Sequence, residues 1–178
     1  MERREKVSKI LFFIFVLSFI WSVLQIISPL SLQEDTVQNL TGQTAVVDNK
    51  YLTDTLPFPV NGIYAIGDRL CHQIDSRSFF INGNQMPFCS RCTAIFFGIT
   101  LGLLIISIFK IPLDDRLVLI IILSILPIGV DGIGQLLNFW ESNNILRIIS
   151  GLLIGTTCGI AIGIIIDETR SIIKSKTT

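Results

Sequence analysis

The sequence predicts an all-α fold: a four-helix integral membrane bundle with a long extracytoplasmic loop that carries a short interfacial helix. Three observations lead there. Half of the 178 residues are hydrophobic and only 16% are charged, against about 25% charged in an ordinary soluble domain. The apolar residues are clumped into four blocks, each near the roughly 20 residues that cross a hydrocarbon core. The Lys and Arg residues fall at alternate ends of those blocks, as the positive-inside rule requires of an even number of spans.

The first block, Ile10–Ile27, reads ILFFIFVLSFIWSVLQII and follows the basic flank MERREKVSK. Its apolar run exceeds the h-region of a signal peptide, and no A-x-A-like cleavage site follows, so it reads as an uncleaved anchor. The other blocks are TAIFFGITLGLLIISIF, LVLIIILSILPIGVDGIGQLL and ILRIISGLLIGTTCGIAIGIII. In lipid each backbone must satisfy its own hydrogen bonds, which makes all four helices. The organisation is an anchor over residues 1–30, a loop over 31–62, and a membrane domain over 63–178 with spans at 93–109, 117–137 and 145–166.

Arg3, Arg4, Lys6 and Lys9 precede the first span. Lys110 and Arg116 lie between the second and third, and Arg170, Lys174 and Lys176 follow the fourth. Both termini are therefore expected in the cytoplasm of a cell-membrane protein, with the loop Ser28–Cys92 and NFWESNN outside. Trp21 and Trp140 are placed to act as interfacial anchors. Net charge is zero, so bulk electrostatics offers nothing to a nucleic acid, and the bilayer is the expected partner. Residues 31–56 read as an exposed loop or a small irregular cap. After Pro57 and Pro59, Ile63, Ile66 and Leu70 share one face of a short helix ending near His72.

Chemistry gathers in residues 69–98, RLCHQIDSRSFFINGNQMPFCSRCTAIFFG, which hold three of the four cysteines and the only histidine. The Cys-x-x-Cys spacing of Cys89 and Cys92 lets both thiolates bind one tetrahedral ion. Cys71 and His72 complete a Cys₃His set, the donor combination of a structural zinc site. Adjacent residues do not easily bind one ion together, which puts either Cys71 or His72 in question. Asn82, Gly83 and Asn84 supply the turn that brings the two pairs together. Two other readings stay open. An outward loop is oxidising, so Cys71 can form a disulfide with Cys89 or Cys92. A Cys-x-x-Cys pair beside Arg91 also suits thiol exchange. Cys158, inside the fourth span, reads as a small hydrophobe.

Polar residues inside the spans converge on the same face. Asp131 lies about 21 Å along the third helix from Leu117, with Gln135 one turn on. Arg147 opens the fourth helix, and Arg91 lies just outside the second. Intramembrane charges are costly and face a partner, so Asp131 should pair with Arg147 or Arg91. Asp131, Arg91, Arg147 and Gln135 are the candidates for any catalytic role, and Arg77 and Arg91 suit an anionic group such as a lipid phosphate. Gly151, Gly155, Gly159 and Gly163 recur every fourth residue and form a groove for another helix, either inside the bundle or across a homodimer.

These motifs resemble a family of small archaeal and bacterial predicted membrane proteins of unknown function. Its pattern runs Cys-His-Gln, Arg-Ser-Phe, then Cys-x-Arg-Cys-Thr-Gly, here CHQ, RSFFINGNQMPFCSRC and TAIFFG. A later Asp with Gln four on and an Arg followed by Gly match Asp131, Gln135, Arg147 and Gly151. The match spans residues 69–163 and departs at Ala94, where the pattern carries Gly. It implies a four-helix membrane fold with this cluster and no established activity. From the residues alone, a zinc site competes with a quinone-linked thiol oxidoreductase, which would need a second cysteine pair, and with a small transporter or channel subunit.

Overall fold

The computed structural model describes residues 2–3, 8–42 and 44–176. Its elements in chain order are β1 (Glu2–Arg3), α1 (Lys9–Leu30), α2 (Lys50–Thr53), α3 (Val60–Leu70), a 3-10 turn (Asp75–Arg77), β2 (Ser78–Ile81), β3 (Asn84–Cys89), α4 (Ser90–Ile108), β4 (Phe109–Lys110), α5 (Asp115–Leu136) and α6 (Asn144–Lys176). The helices α1, α4, α5 and the stretch Asn144–Arg170 of α6 are long and apolar enough to cross a membrane. The basic residues Arg4 and Lys6 of the N-terminal flank lie outside the described residues.

The four long helices pack in the order α1, α4, α6, α5, with the α4–α6 contact the most extensive. Glycine explains that contact. A Cβ on Gly98 would lie 2.7 Å from the Leu152 carbonyl oxygen, and Cβ atoms on Gly102, Gly155 and Gly159 would collide with the backbone of the opposite helix. Only hydrogen fits, so the two backbones approach as small-residue faces allow. The glycine face expected to serve either the bundle or a homodimer is thus occupied by α4 of the same chain. Leu11, Leu103, Ile106, Leu117 and Ile164 form the apolar core beneath it. The outward faces carry exposed Phe12, Phe13, Leu119, Ile120 and Leu123, a surface that lipid covers without cost. Helix α1 is tied to α4 through Ser22 and Thr100, whose hydroxyls lie 3.0 Å apart.

Strands β1 and β4 pair at one end of the bundle, Glu2 opposite Lys110. The other end carries a cap built from residues 31–89. Of the exposed loop or small irregular cap expected before Pro57, the structure shows the cap: Leu32, Val37, Leu40, Leu56, Val60 and Tyr64 form a second apolar core. Polar side chains knit it. Asn84 accepts from Val37 N at 2.8 Å and donates to the Gln33 carbonyl at 2.9 Å. Gln85 accepts from Leu40 N at 3.0 Å and donates to the Gln73 carbonyl at 2.6 Å. The backbone groups of an irregular segment must find partners when buried, and these amides supply them.

Helix α3 forms where expected but buries a different stripe. Val60, Ile63, Tyr64 and Gly67 face inward, while Ile66 and Leu70 are exposed. Gly67 decides this rotation, because it lies against the Pro87 carbonyl and leaves no room for a Cβ. The hairpin β2–β3 turns at Asn82 and Gly83, both at positive φ, the backbone that an Asn-Gly turn supplies.

Candidate functional site

Helix α4 begins at Ser90, three residues before its expected start. The whole Cys-x-x-Cys motif therefore belongs to a helix N-terminus: Cys89 is its N-cap, and Arg91 and Cys92 lie in its first turn. Cys71 caps the C-terminus of α3, its N–H bonded to the Gly67 carbonyl at 2.9 Å. The Gly67–Pro87 contact presses α3 onto β3 and delivers Cys71 to the start of α4. There the sulfur of Cys71 accepts from Cys89 N at 3.2 Å.

The three sulfurs of Cys71, Cys89 and Cys92 all lie within 4.8 Å of one another. A tetrahedral ion with metal–sulfur distances near 2.3 Å holds its sulfurs about 3.8 Å apart, which a small closure of this group would reach. Cys71 is only 1% exposed. His72 stands outside the group and is exposed, because extended backbone at Cys71 turns consecutive side chains in opposite directions. Of the Cys₃His set the structure assembles the cysteines alone. None of them is joined in a disulfide.

Electrostatics at the sulfurs is uneven. Hydrogen bonding from the Cys71 thiol, then from Cys92, holds Cys89 well below the usual thiol range, aided by the N–H groups of Cys92 and Arg91 and opposed by burial. The same bond with Cys89 pushes Cys71 upward. A thiolate at a helix N-terminus is what free N–H groups and the helix dipole favour.

One side of Cys92 opens on an apolar cavity of about 100 Å³, lined also by Leu70, Phe88, Ile95 and Phe96. Trp21 from α1 packs edge-on to both Phe88 and Phe96, with ring centroids 5.9 Å away from each, and so holds that wall.

On the other side lies a buried polar network. Asp131, on α5, is 6% exposed and pairs with Arg91. It also accepts from Gln135 Nε2 at 3.1 Å and Trp140 Nε1 at 3.3 Å. Gln135 Oε1 accepts from Arg147 at 3.2 Å, and Asn144 Oδ1 accepts from the same guanidinium at 3.3 Å. Ser90 Oγ lies 2.9 Å from Asn144 Oδ1 and 3.1 Å from the Arg77 carbonyl. Asp131 thus chooses Arg91 of the two expected partners, and Arg147 reaches it through Gln135. Trp140, expected as an interfacial anchor, packs its indole against Gly134 and donates to Asp131 while staying partly exposed. Ser90, Asn144 and Trp140 were not legible as members of this network. Their only sequence signal is position next to Arg91, Arg147 and the third span.

The family model for predicted membrane proteins designated DUF2085 matches residues 71–162. The chain belongs to that family. The matched segment begins at Cys71 and includes Cys89, Cys92, Asp131, Gln135 and Arg147. An uncharacterised protein of Methanocaldococcus jannaschii is 40% identical over 98 residues, covering 53% of this chain and 62% of its own length. An uncharacterised protein of Methanothermobacter thermautotrophicus is 36% identical over 83 residues, covering 47% of this chain and 75% of its own length. No solved structure matches the chain.

Proposed function

We propose that this DUF2085 protein carries a zinc-thiolate centre at the extracytoplasmic face of the membrane, with Cys71, Cys89 and Cys92 as ligands and the fourth position open. The observation that carries it is the approach of three sulfurs from two elements to within 4.8 Å. Three protein ligands with an open fourth position is the arrangement of sites that bind an exchangeable ligand, whereas structural zinc sites are closed by four. Orientation rests on the basic flanks: with Arg3, Lys110 and Arg170 cytoplasmic, the cap and its cysteines face outward. Asp131, Gln135 and Arg147 then form the polar wall beside the ion, where Asp131 holds Arg91 in place.

A second reading is favoured by the cavity at Cys92. Its apolar walls suit a quinone ring, which would accept two electrons and two protons as a pair of these thiols closes to a disulfide. Metal content separates the two readings. Purified protein should hold about one zinc per chain, with thiols protected until chelation. The double variant Cys89→Ser, Cys92→Ser should hold none. Zinc retained by that variant would sink the metal reading, and two thiols missing from the wild-type count would favour the redox one.

A further inference from the structure

We infer that Arg77, Arg91 and Arg147 form a binding site for a phosphate-class oxyanion beside the three cysteines. This goes beyond the metal reading and stands on the arginines themselves.

Arg147 is 4% exposed, yet among the described residues its guanidinium donates only to the neutral amide oxygens of Asn144 and Gln135. Among the described residues no carboxylate pairs with it. Arg77 and Arg91 both lie within electrostatic range of it, as do Asp131 and the sulfur of Cys89, so three guanidinium groups share two anionic groups. Asp131 is the carboxylate of this group, and it is engaged by Arg91. Arg91 also keeps a buried Nε that donates to nothing. A buried charge without a counter-ion is strongly unfavourable. If a zinc ion with three thiolates occupies the neighbouring site, its net negative charge offsets one further guanidinium, and a positive charge still remains.

The surroundings add to the positive potential. Helices α4 and α6 both begin here, at Ser90 and Asn144, and the Ser90–Asn144 contact holds their N-termini together. Helix N-termini favour anions through their free N–H groups and dipole. Ser90 also donates to the Arg77 carbonyl, which ties the backbone of the exposed Arg77 to the start of α4.

Arginine offers five donors in a planar fork, and two of those on Arg147 are used. Three forks arriving from the 3-10 turn, α4 and α6 suit a tetrahedral oxyanion, which has an oxygen for each, better than a carboxylate with two. The phosphate is either the monoester headgroup of a lipid or a free phosphate, because a phosphodiester leaves only two oxygens unesterified.

The test uses the full chain in phosphatidylcholine nanodiscs, with the thermal midpoint read from tryptophan fluorescence. One arm titrates inorganic phosphate, with chloride at equal ionic strength as the control. The other arm replaces part of the phosphatidylcholine with phosphatidic acid. The expected result is a saturable rise in midpoint with at least one probe, and the responding arm names the source. Arg77→Gln changes an exposed side chain and should leave the midpoint without probe in place. It should weaken the response about tenfold, the scale of one lost charge-assisted contact. Arg147→Lys, which keeps the charge but loses the fork, should weaken it as well. If neither probe exceeds chloride, or if Arg77→Gln responds as wild type does, the inference is overturned. Zinc measured on the same samples keeps the two readings apart. Zinc present with no anion response removes only the anion site, and an anion response without zinc removes only the metal centre.

Discussion

Replacing Asp131 with Leu should be among the most damaging single changes outside the helix crossings. The side chain is 8% exposed and pairs with an Arg91 side chain that is 23% exposed. Removing it strands that guanidinium, and breaking a buried pair costs about 3–5 kcal/mol. It also leaves the Trp140 indole N–H without an acceptor. Arg91→Leu should cost a similar amount, because it leaves the carboxylate unpaired. The double variant removes both charges at once, so its cost should fall below the sum of the two by about 2 kcal/mol or more. Unfolding in mixed micelles titrated with SDS, followed by tryptophan fluorescence, measures all three. Costs that add to within about 0.5 kcal/mol would show that the two residues act independently, and the pair would then not be what joins α4 to α5.

Four further outcomes follow from the geometry and the electrostatics. Gly98→Ala places a methyl 2.7 Å from the Leu152 carbonyl oxygen and should destabilise by about 1–3 kcal/mol through overpacking. Gly132→Ala, which meets nothing within 4 Å, should be neutral or stabilising by up to about 1 kcal/mol from helix propensity; the same SDS titration compares them. In metal-free protein Cys89 should alkylate at nearly constant rate from about pH 8.5 down to about pH 6, where an ordinary thiol slows about tenfold per unit. Its pKa is lowered on folding, so the associated stability is present above the unfolded value and is lost as pH falls toward the folded one; mass spectrometry of the labelled peptide reports the rate. Tyr64→Phe should cost about 1–2 kcal/mol in thermal unfolding, because it leaves the buried Gln85 carbonyl, now 2.6 Å from the hydroxyl, without that donor.

The membrane helices are legible because lipid imposes length and composition on them, and the four blocks fall within a few residues of α1, α4, α5 and the start of α6, which runs on to Lys176 beyond its apolar block. The start of α4 was misplaced because the polar CSRC motif looks like loop by composition, although Cys89 and the residues after it form a cap and a first turn. The gathering of Cys71 with Cys89 and Cys92 follows from their rarity and spacing. His72 shows the limit of that logic: neighbours in sequence share a ligand set on paper, but extended backbone sends their side chains apart. The packing of the cap before Pro57 was illegible for a different reason. Its order comes from Asn84 and Gln85, which bond to backbone at Val37 and Leu40, and amide partners so distant in sequence leave no periodic trace. Arg147 was visible as a costly charge, but its lack of a carboxylate partner emerges only once Asp131 is seen to pair with Arg91.

The most direct test of the zinc-thiolate centre is X-ray absorption at the zinc edge of the purified protein. The account predicts about three sulfurs near 2.3 Å and one oxygen or nitrogen near 2.0–2.1 Å. A shell of oxygen and nitrogen without sulfur, or protein that binds no zinc while two of the three thiols are oxidised, would contradict it.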